Sequence, residues 1–182
     1  MKRKTNCEGG NMQQISVAII MGSISDEKKM KDCKDVLDEF GVPCEYTVAS
    51  AHRTPEKTRN FVRSRETNGC KVFICGAGAA AHLAGAVAAI TTKPVIGVPL
   101  SGSSSTGING LDALFSTVQM PSGIPVATVA LDGAKNAAHL AIEILAIGDE
   151  DLHHKLEKAR AIMAQKVSDA DAELHEKWGK GK

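Results

Sequence analysis

Two polar segments each follow a short apolar run, and their side chains could bind an anion and move a proton. The first is residues 22–26 (Gly-Ser-Ile-Ser-Asp), and the second is residues 50–55 (Ser-Ala-His-Arg-Thr-Pro). A helical pattern begins after each of them, so both are expected at a strand-to-helix junction. Unpaired backbone N–H groups at a helix N-terminus carry partial positive charge, and such a junction therefore favours an anion.

The residue types in these segments indicate the chemistry. Gly22 would let a ligand approach the backbone, and Ser23 and Ser25 carry hydroxyl donors, although either serine could simply cap the helix. Arg53 offers a planar fork that suits phosphate, and His52 offers an imidazole, the side chain whose charge changes near neutral pH. A single histidine after a strand is more often structural than catalytic, so the catalytic hypothesis depends on the two segments meeting.

A third segment, residues 76–85, follows another apolar run and consists mainly of glycine and alanine, and a helix of small residues is predicted from Ala79 to Ile90. Such small side chains let either a ligand ring or a second helix lie against the backbone. As a nucleotide-binding fingerprint the pattern is weak, and both interpretations stay open. The same holds for His82 in this segment, for which a capping or packing role competes with ligand contact.

The elements that position these segments alternate regularly along the chain. Apolar runs predict strands at residues 17–21, 44–48, 72–75, 95–98 and 126–131, with helical stretches between them. This alternation predicts a three-layer αβα fold with a flavodoxin-like parallel sheet of about five strands. Ligands bind such sheets beyond the carboxyl ends of the strands, which is where all three segments fall.

A long C-terminal helix is predicted from Glu150 onwards. Its apolar stripe packs either on its own domain or on a neighbouring subunit; the stripe is Leu152, Leu156, Ala159, Met163 and Val167. Residues 15–178, including this helix, are predicted to form a single α/β domain. Residues 1–14 lack the apolar core of a signal peptide and are expected to form a flexible tail.

Composition excludes several classes of protein. The 182 residues are 43% hydrophobic and 24% charged, which is typical of a globular enzyme. The net charge of +1 argues against a broad nucleic-acid surface, and no apolar run approaches the roughly 20 residues of a membrane span. Five cysteines without a Cys-x-x-Cys motif indicate reduced thiols and a cytoplasmic protein. Cys33, Cys70 and Cys75 lie on apolar patterns and are expected in the core. No histidine, cysteine or carboxylate cluster has metal-ligand spacing.

Seven short motifs occur in an order that resembles the PurE family. The resemblance covers residues 16–147. The related carboxylase class has lysine at the position of Arg53, so at this position the chain resembles the class of N5-carboxyaminoimidazole ribonucleotide mutases. The motifs are Gly-Ser-x-Ser-Asp at 22–26, Ser-Ala-His-Arg-Thr-Pro at 50–55, Gly-Ala-Gly-x-Ala-Ala-His-Leu at 76–83, Pro-Val-Ile-Gly-Val-Pro at 94–99, Val-Gln-Met-Pro at 118–121, Gly-Ile-Pro-Val-Ala-Thr at 123–128 and Gly-Ala-Lys-Asn-Ala at 133–137.

This resemblance implies an isomerase of purine biosynthesis, with His52 as general acid and base and with neither a metal nor another cofactor. It implies a ribonucleotide substrate whose phosphate binds Ser23 and Arg53 and whose ribose binds Asp26. It also implies a homo-octamer in which residues 119–121 lie near a neighbour's pocket. The full substrate-binding set that we expect is Ser23, Ser25, Asp26, Ser50, Arg53, Gly78, Ala79, His82 and Leu83.

Some positions depart from the family pattern, and two other functions stay open. Ala79 and Ala84 replace a glycine and a proline, Glu27 replaces a tryptophan, and residues 101–109 form a longer stretch than usual. The nearer alternative is a carboxylase that uses free carbon dioxide on aminoimidazole ribonucleotide. The more distant one is a flavodoxin-like nucleotide-binding module without catalysis, which the lack of aromatic side chains in the three segments disfavours.

Overall fold

The sheet has five parallel strands in the order β2-β1-β3-β4-β5. A computed structural model of the chain describes residues 15–102 and 109–179, so the predicted tail, residues 1–14, lies outside the described residues. The strand order is that of flavodoxin-like doubly wound sheets, which confirms the predicted fold class. The strands are β1 (Val17–Met21), β2 (Cys44–Val48), β3 (Val72–Gly78), β4 (Val95–Leu100) and β5 (Ala127–Thr128).

Helices cover both faces of the sheet. The helices are α1 (Glu27–Phe40), α2 (Pro55–Thr67), α3 (Leu83–Ala88), α4 (Leu111–Val118), α5 (Ala134–Ala146) and α6 (Glu150–Gly179). One core cluster joins α1 and α5 to the sheet, and a second joins α2, α3 and α4 to the opposite face. Because side chains alternate along a strand, Val17 and Ile19 of β1 enter the first cluster while Ala18 and Ile20 enter the second.

Two elements near the third polar segment differ from the prediction. Strand β3 continues to Gly78, because residues 76–78 pair with residues 98–100 of β4 in spite of their small side chains. Helix α3 begins only at Leu83. Ala79 has a left-handed backbone with φ 51°, which does not fit a right-handed helix, so the helix cannot begin at Ala79. Strand β5 is two residues long, shorter than predicted.

The cysteines that were expected in the core are buried. They are Cys33 on α1, Cys70 before β3 and Cys75 within β3, and the four described cysteines are free thiols. Burial raises the pKa of Cys33 to about 12 and the pKa of Cys70 to about 11. Both thiols therefore stay protonated at neutral pH and pack as small apolar side chains.

Helix α6 packs against the rest of its domain for only part of its length. Leu152, Leu156 and Ala159 pack against the core on the α5 side, and the Lys155 ammonium donates to the Phe40 carbonyl at 2.8 Å. Farther along the same stripe, Met163 and Val167 are exposed. The first half of the stripe therefore packs on its own domain, whereas the second half is exposed in the single chain. Within the described ranges, none of the helices combines the length and the apolar character needed to cross a bilayer.

Gly97 of β4 lets α4 and the segment before β5 approach the sheet closely. A Cβ built at Gly97 would contact Thr117 Cγ2 of α4 and lie 3.0 Å from Val126 Cγ1. Both neighbours are β-branched and have few alternative rotamers, so they cannot easily turn away. The space at position 97 is therefore part of the packing that holds β4 in place.

Gly97→Ala is expected to lower the free energy of unfolding by about 1 to 3 kcal/mol, because a methyl group would overpack this contact. The urea midpoint of unfolding measures the change. Gly148→Ala is the matched control, since a Cβ there meets nothing within 4 Å, and it should shift stability by less than about 0.5 kcal/mol. Equal midpoints for the two variants would contradict the close approach at Gly97.

Candidate functional site

The three polar segments meet in one cleft of about 520 Å³ beyond the carboxyl ends of the strands. They converge because β1 lies between β2 and β3 in a parallel sheet, so the segments that follow these strands leave from one edge. The expected residues that line the cleft are Ser23, Ser25, Asp26, Ser50, His52, Arg53, Gly78, Ala79 and Leu83. His82 joins the site through a contact with His52.

The first segment is held by hydrogen bonds between its own residues. The backbone N–H of Ser23 donates to Asp26 Oδ2 at 2.9 Å, and Ser23 Oγ accepts from the Ser25 backbone N–H at 3.3 Å. Ser23 thus caps the short 3-10 helix Ile24–Asp26 that precedes α1. The capping role and the ligand-binding role are compatible, because both serines also line the cleft.

Asp26 is half-buried, and this raises its pKa. The loss of hydration outweighs the hydrogen bonds from Ser23 and Ser25 and the charge of Lys29, all of which favour the ionised carboxylate. The Ser23 backbone N–H donates to Oδ2 at 2.9 Å, whereas the hydroxyl of Ser25 lies 3.5 Å from Oδ1. Oδ1 is therefore the oxygen of Asp26 that is available to accept a hydrogen bond from a ligand.

The second segment is a turn closed by Ser50 and Thr54. The Ser50 N–H donates to Thr54 Oγ1 at 2.9 Å, Thr54 Oγ1 donates to the Ser50 carbonyl at 3.1 Å, and the Arg53 N–H donates to Ser50 Oγ at 3.2 Å. The hydroxyl of Thr54 closes this turn and makes no side-chain cap on α2. The guanidinium of Arg53 has no hydrogen bond or ion pair to any residue in the ranges 15–102 and 109–179.

The imidazoles of His52 and His82 contact each other. His52 Nε2 lies 2.9 Å from His82 Nδ1, and the two rings are nearly perpendicular with centroids 5.0 Å apart. A hydrogen bond between these nitrogens holds one proton, so one ring donates and the other accepts. His82 forms no side-chain cap on α3, which argues against the capping alternative for it.

The small residues of the third segment line the cleft at its start and allow close packing farther along. Gly78 and Ala79 line the cleft, and a Cβ at Gly78 would lie 3.1 Å from the Leu100 carbonyl oxygen. A Cβ at Gly85, by contrast, would lie 3.1 Å from Met120 Sδ, so the small size of this residue serves packing. The start of the segment lines the cleft, and close packing belongs to α3.

Sequence reasoning missed a polar network on the cleft wall. Lys29 Nζ donates to the Ser101 carbonyl at 2.8 Å and to the two carboxylate oxygens of Asp132 at 2.8 and 2.9 Å. Lys29, Ser101 and Gly102 line the cleft. The spacing of Lys29 one helical turn after Asp26 is a signal that could have found it, whereas Asp132 follows a different strand and carries no local signal.

Metal ligands do not cluster in the described part of the chain. Across residues 15–102 and 109–179, no group of three histidine, cysteine, aspartate or glutamate side chains could hold a metal ion. The groups available for chemistry in the cleft are the histidine pair, the Arg53 guanidinium, the Asp26 carboxylate, the Lys29 ammonium paired with Asp132, and several hydroxyls. Such a set can bind a phosphate and a polyhydroxyl group and can transfer a proton.

Comparisons with known proteins agree with this geometry. A family model described as AIR carboxylase matches residues 16–166. The N5-carboxyaminoimidazole ribonucleotide mutase of Pyrococcus horikoshii is 52% identical over 160 residues, which cover 88% of this chain and 89% of the relative. The phosphoribosylaminoimidazole carboxylase of Schizosaccharomyces pombe is 55% identical over 130 residues, 71% of this chain and 23% of the relative.

A solved structure gives the same result at the level of the fold. The crystal structure of Treponema denticola PurE superposes with a TM-score of 0.78 at 30% sequence identity, covering 87% of this chain and 97% of that one. The resemblance inferred from the seven motifs is thereby confirmed. With a family match across most of its length and the corresponding fold, this chain belongs to the AIR carboxylase family, which includes the PurE enzymes.

Proposed function

We propose that this chain is an N5-carboxyaminoimidazole ribonucleotide mutase, an isomerase that moves a carboxyl group from the exocyclic nitrogen to ring carbon four. The observation that carries the proposal is that one cleft brings together a histidine pair, an unpaired guanidinium and a hydroxyl-rich loop. A relative that matches 88% of the chain at 52% identity is named as this mutase.

The cleft offers a distinct partner for each part of the ribonucleotide. Arg53 and the hydroxyl of Ser23 bind the phosphate, since the guanidinium has no competing carboxylate in the described residues. Asp26 binds the ribose, because Oδ1, whose contact with the Ser25 hydroxyl is long at 3.5 Å, can accept a hydrogen bond from a ribose hydroxyl, whereas a phosphate beside it would be repelled. The aminoimidazole ring lies along the small residues Gly78 and Ala79, and Ser25, Ser50, His82 and Leu83 complete the binding set.

The reaction requires one proton to be given and one to be taken back. Protonation of the exocyclic nitrogen assists cleavage of its bond to the carboxyl carbon, which leaves carbon dioxide and an electron-rich ring. Carbon four of the ring then attacks the carbon dioxide to form the new carbon–carbon bond, and loss of the proton from carbon four restores the aromatic ring. The two proton transfers balance, so a single group can perform both.

His52 is the proposed general acid and base. Its Nε2 shares a hydrogen bond with His82 Nδ1, which fixes the orientation of the His52 ring and makes the tautomers of the two rings depend on each other. We assign His82 to orienting His52 and to contact with the carboxyl group.

The carboxylase alternative has support of its own, since one relative is named a phosphoribosylaminoimidazole carboxylase. A substrate-choice assay separates the two functions. We expect turnover with N5-carboxyaminoimidazole ribonucleotide, and little with aminoimidazole ribonucleotide plus bicarbonate, when product formation is followed at matched concentrations. Faster turnover of the bare ribonucleotide would favour the carboxylase, and no turnover of either would favour a binding module.

His52→Asn is expected to lower turnover by at least about 100-fold while the fold and nucleotide affinity are retained, because general acid–base catalysis is lost. Steady-state kinetics and a nucleotide-binding titration measure the two effects. His82→Asn removes the contact with the His52 ring and the proposed contact with the carboxyl group but leaves His52 in place, so it should give an intermediate loss. His153→Asn, on the exposed surface of α6, is the control. Turnover of His52→Asn within tenfold of the parent would refute the assignment.

We further propose a homo-oligomer, in keeping with the octamer that the resemblance implies. The exposed apolar residues are concentrated on two surfaces, which is unusual for a monomer. One is a single face of α4, with Leu111, Phe115 and Val118 at helical spacing, and the other is the distal half of α6. Gln119 and Met120 directly follow the α4 face, and the resemblance implies that residues 119–121 lie near a neighbour's pocket.

Val167→Glu is expected to dissociate the oligomer and to abolish activity while each subunit stays folded, because it places a charge on the distal α6 stripe. Light scattering over a dilution series, with activity measured in parallel, follows both effects. Ala172→Glu, an exposed position on the opposite side of α6, is the matched control and should leave assembly unchanged. A fully active monomer would refute both the interface and the shared site.

A further inference from the structure

The two permanently charged cations that line the cleft have different environments. Lys29 is paired with Asp132, whose carboxylate oxygens lie 2.8 and 2.9 Å from the ammonium nitrogen. Arg53 has no carboxylate partner within the described ranges. An anionic ligand that enters the cleft therefore meets one cation that is free and one whose charge is already compensated.

Asp132 is held firmly in its place beside Lys29. Its carboxylate accepts a hydrogen bond from the Ser101 N–H at 2.9 Å, and its own N–H donates to the Pro99 carbonyl at 2.9 Å. Partial burial disfavours its charge, but hydrogen bonds from Lys29 and Ser101 outweigh this and hold its pKa below the usual value. Asp132 adopts φ 56°, a strained backbone that this network maintains.

We propose that the ion pair between Lys29 and Asp132 determines the binding register of the substrate, by cancelling the charge of Lys29 so that Arg53 alone takes the phosphate. The identity of the ligand as a phosphorylated nucleotide rests on the proposed function. Without Asp132, the Lys29 ammonium would offer the cleft a second phosphate site. A nucleotide bound there would have its phosphate in the wrong place, and its ring would not reach His52.

Inorganic phosphate is the probe for this inference, with binding followed by ³¹P NMR titration. As a single substitution, Arg53→Ala should abolish phosphate binding. Asp132→Asn should bind phosphate about three- to tenfold more tightly than the parent, because it releases an ammonium group in the cleft. In the Asp132→Asn background, Arg53→Ala should no longer abolish binding, and adding Lys29→Met should remove the new site.

A matched control removes a similar ion pair outside the cleft. Lys31 and Asp35 pair on the exposed side of α1, with the ammonium nitrogen 2.7 Å from Asp35 Oδ1. Asp35→Asn should leave phosphate binding unchanged, which excludes a general effect of net charge.

A thermal melt of each variant checks folding. If Asp132→Asn does not fold, Asp132→Gly makes the same test, since glycine readily adopts the left-handed backbone at this position.

Kinetics give a second readout that a structural role would not produce. Binding in a non-productive register lowers kcat and KM by the same factor and leaves kcat/KM unchanged, whereas a distorted site lowers kcat/KM. We expect the first pattern for Asp132→Asn, with kcat restored in Lys29→Met/Asp132→Asn. Unchanged phosphate affinity in Asp132→Asn, or a fall in kcat/KM that Lys29→Met does not restore, would overturn the inference.

The proposed function and this inference fail in different ways. If the parent does not convert N5-carboxyaminoimidazole ribonucleotide, the proposed function is wrong, and the phosphate titration still shows whether Asp132 suppresses an anion site. If the parent converts the substrate but Asp132→Asn binds phosphate no more tightly than the parent, the function stands and the role of the ion pair is wrong.

Discussion

Parallel pairing of β1 with both β2 and β3 is the constraint on which the site depends. The register aligns Met21 with Val48 on one side and with Gly76 on the other, so the three strands reach the same edge of the sheet. The ladder extends beyond β1 through the Gly22 N–H to the Gly76 carbonyl at 3.0 Å. Because the three strands end in register, the loops that follow them begin side by side at that edge.

Each loop satisfies its own backbone, and this leaves the reactive side chains available. Asp26 and Ser23 bond each other in the first loop, and Ser50 and Thr54 close the second. An ordered loop also loses less conformational entropy when a ligand binds, which raises affinity without an additional contact. Polar residues of two kinds are thus mixed in the same short segments, some that hold the loop and some that face the cleft.

The exposed apolar area of the subunit is a second constraint. The first turns of α6 cover the core beside α5, and the remainder extends past it, with Trp178 exposed for 74% of its surface. A helix of this length would span about 45 Å, more than one small domain can cover. The fold of a single chain therefore accounts for only half of the apolar stripe, and association with further copies would account for the rest.

Local pattern was sufficient for the sheet, for most helices and for the position of His52, Arg53 and Ser23 in the segments that line the cleft, because hydrophobic period and helix-start residues act over a few neighbours. It failed at Ala79, where a left-handed backbone delays α3, and at β3, where pairing with β4 extends the strand through small residues. Contacts between distant segments carry no such signal. The meeting of His52 with His82, and of Lys29 with Asp132, was decided only by tertiary structure, since strand order brings together residues that are 30 and 103 positions apart.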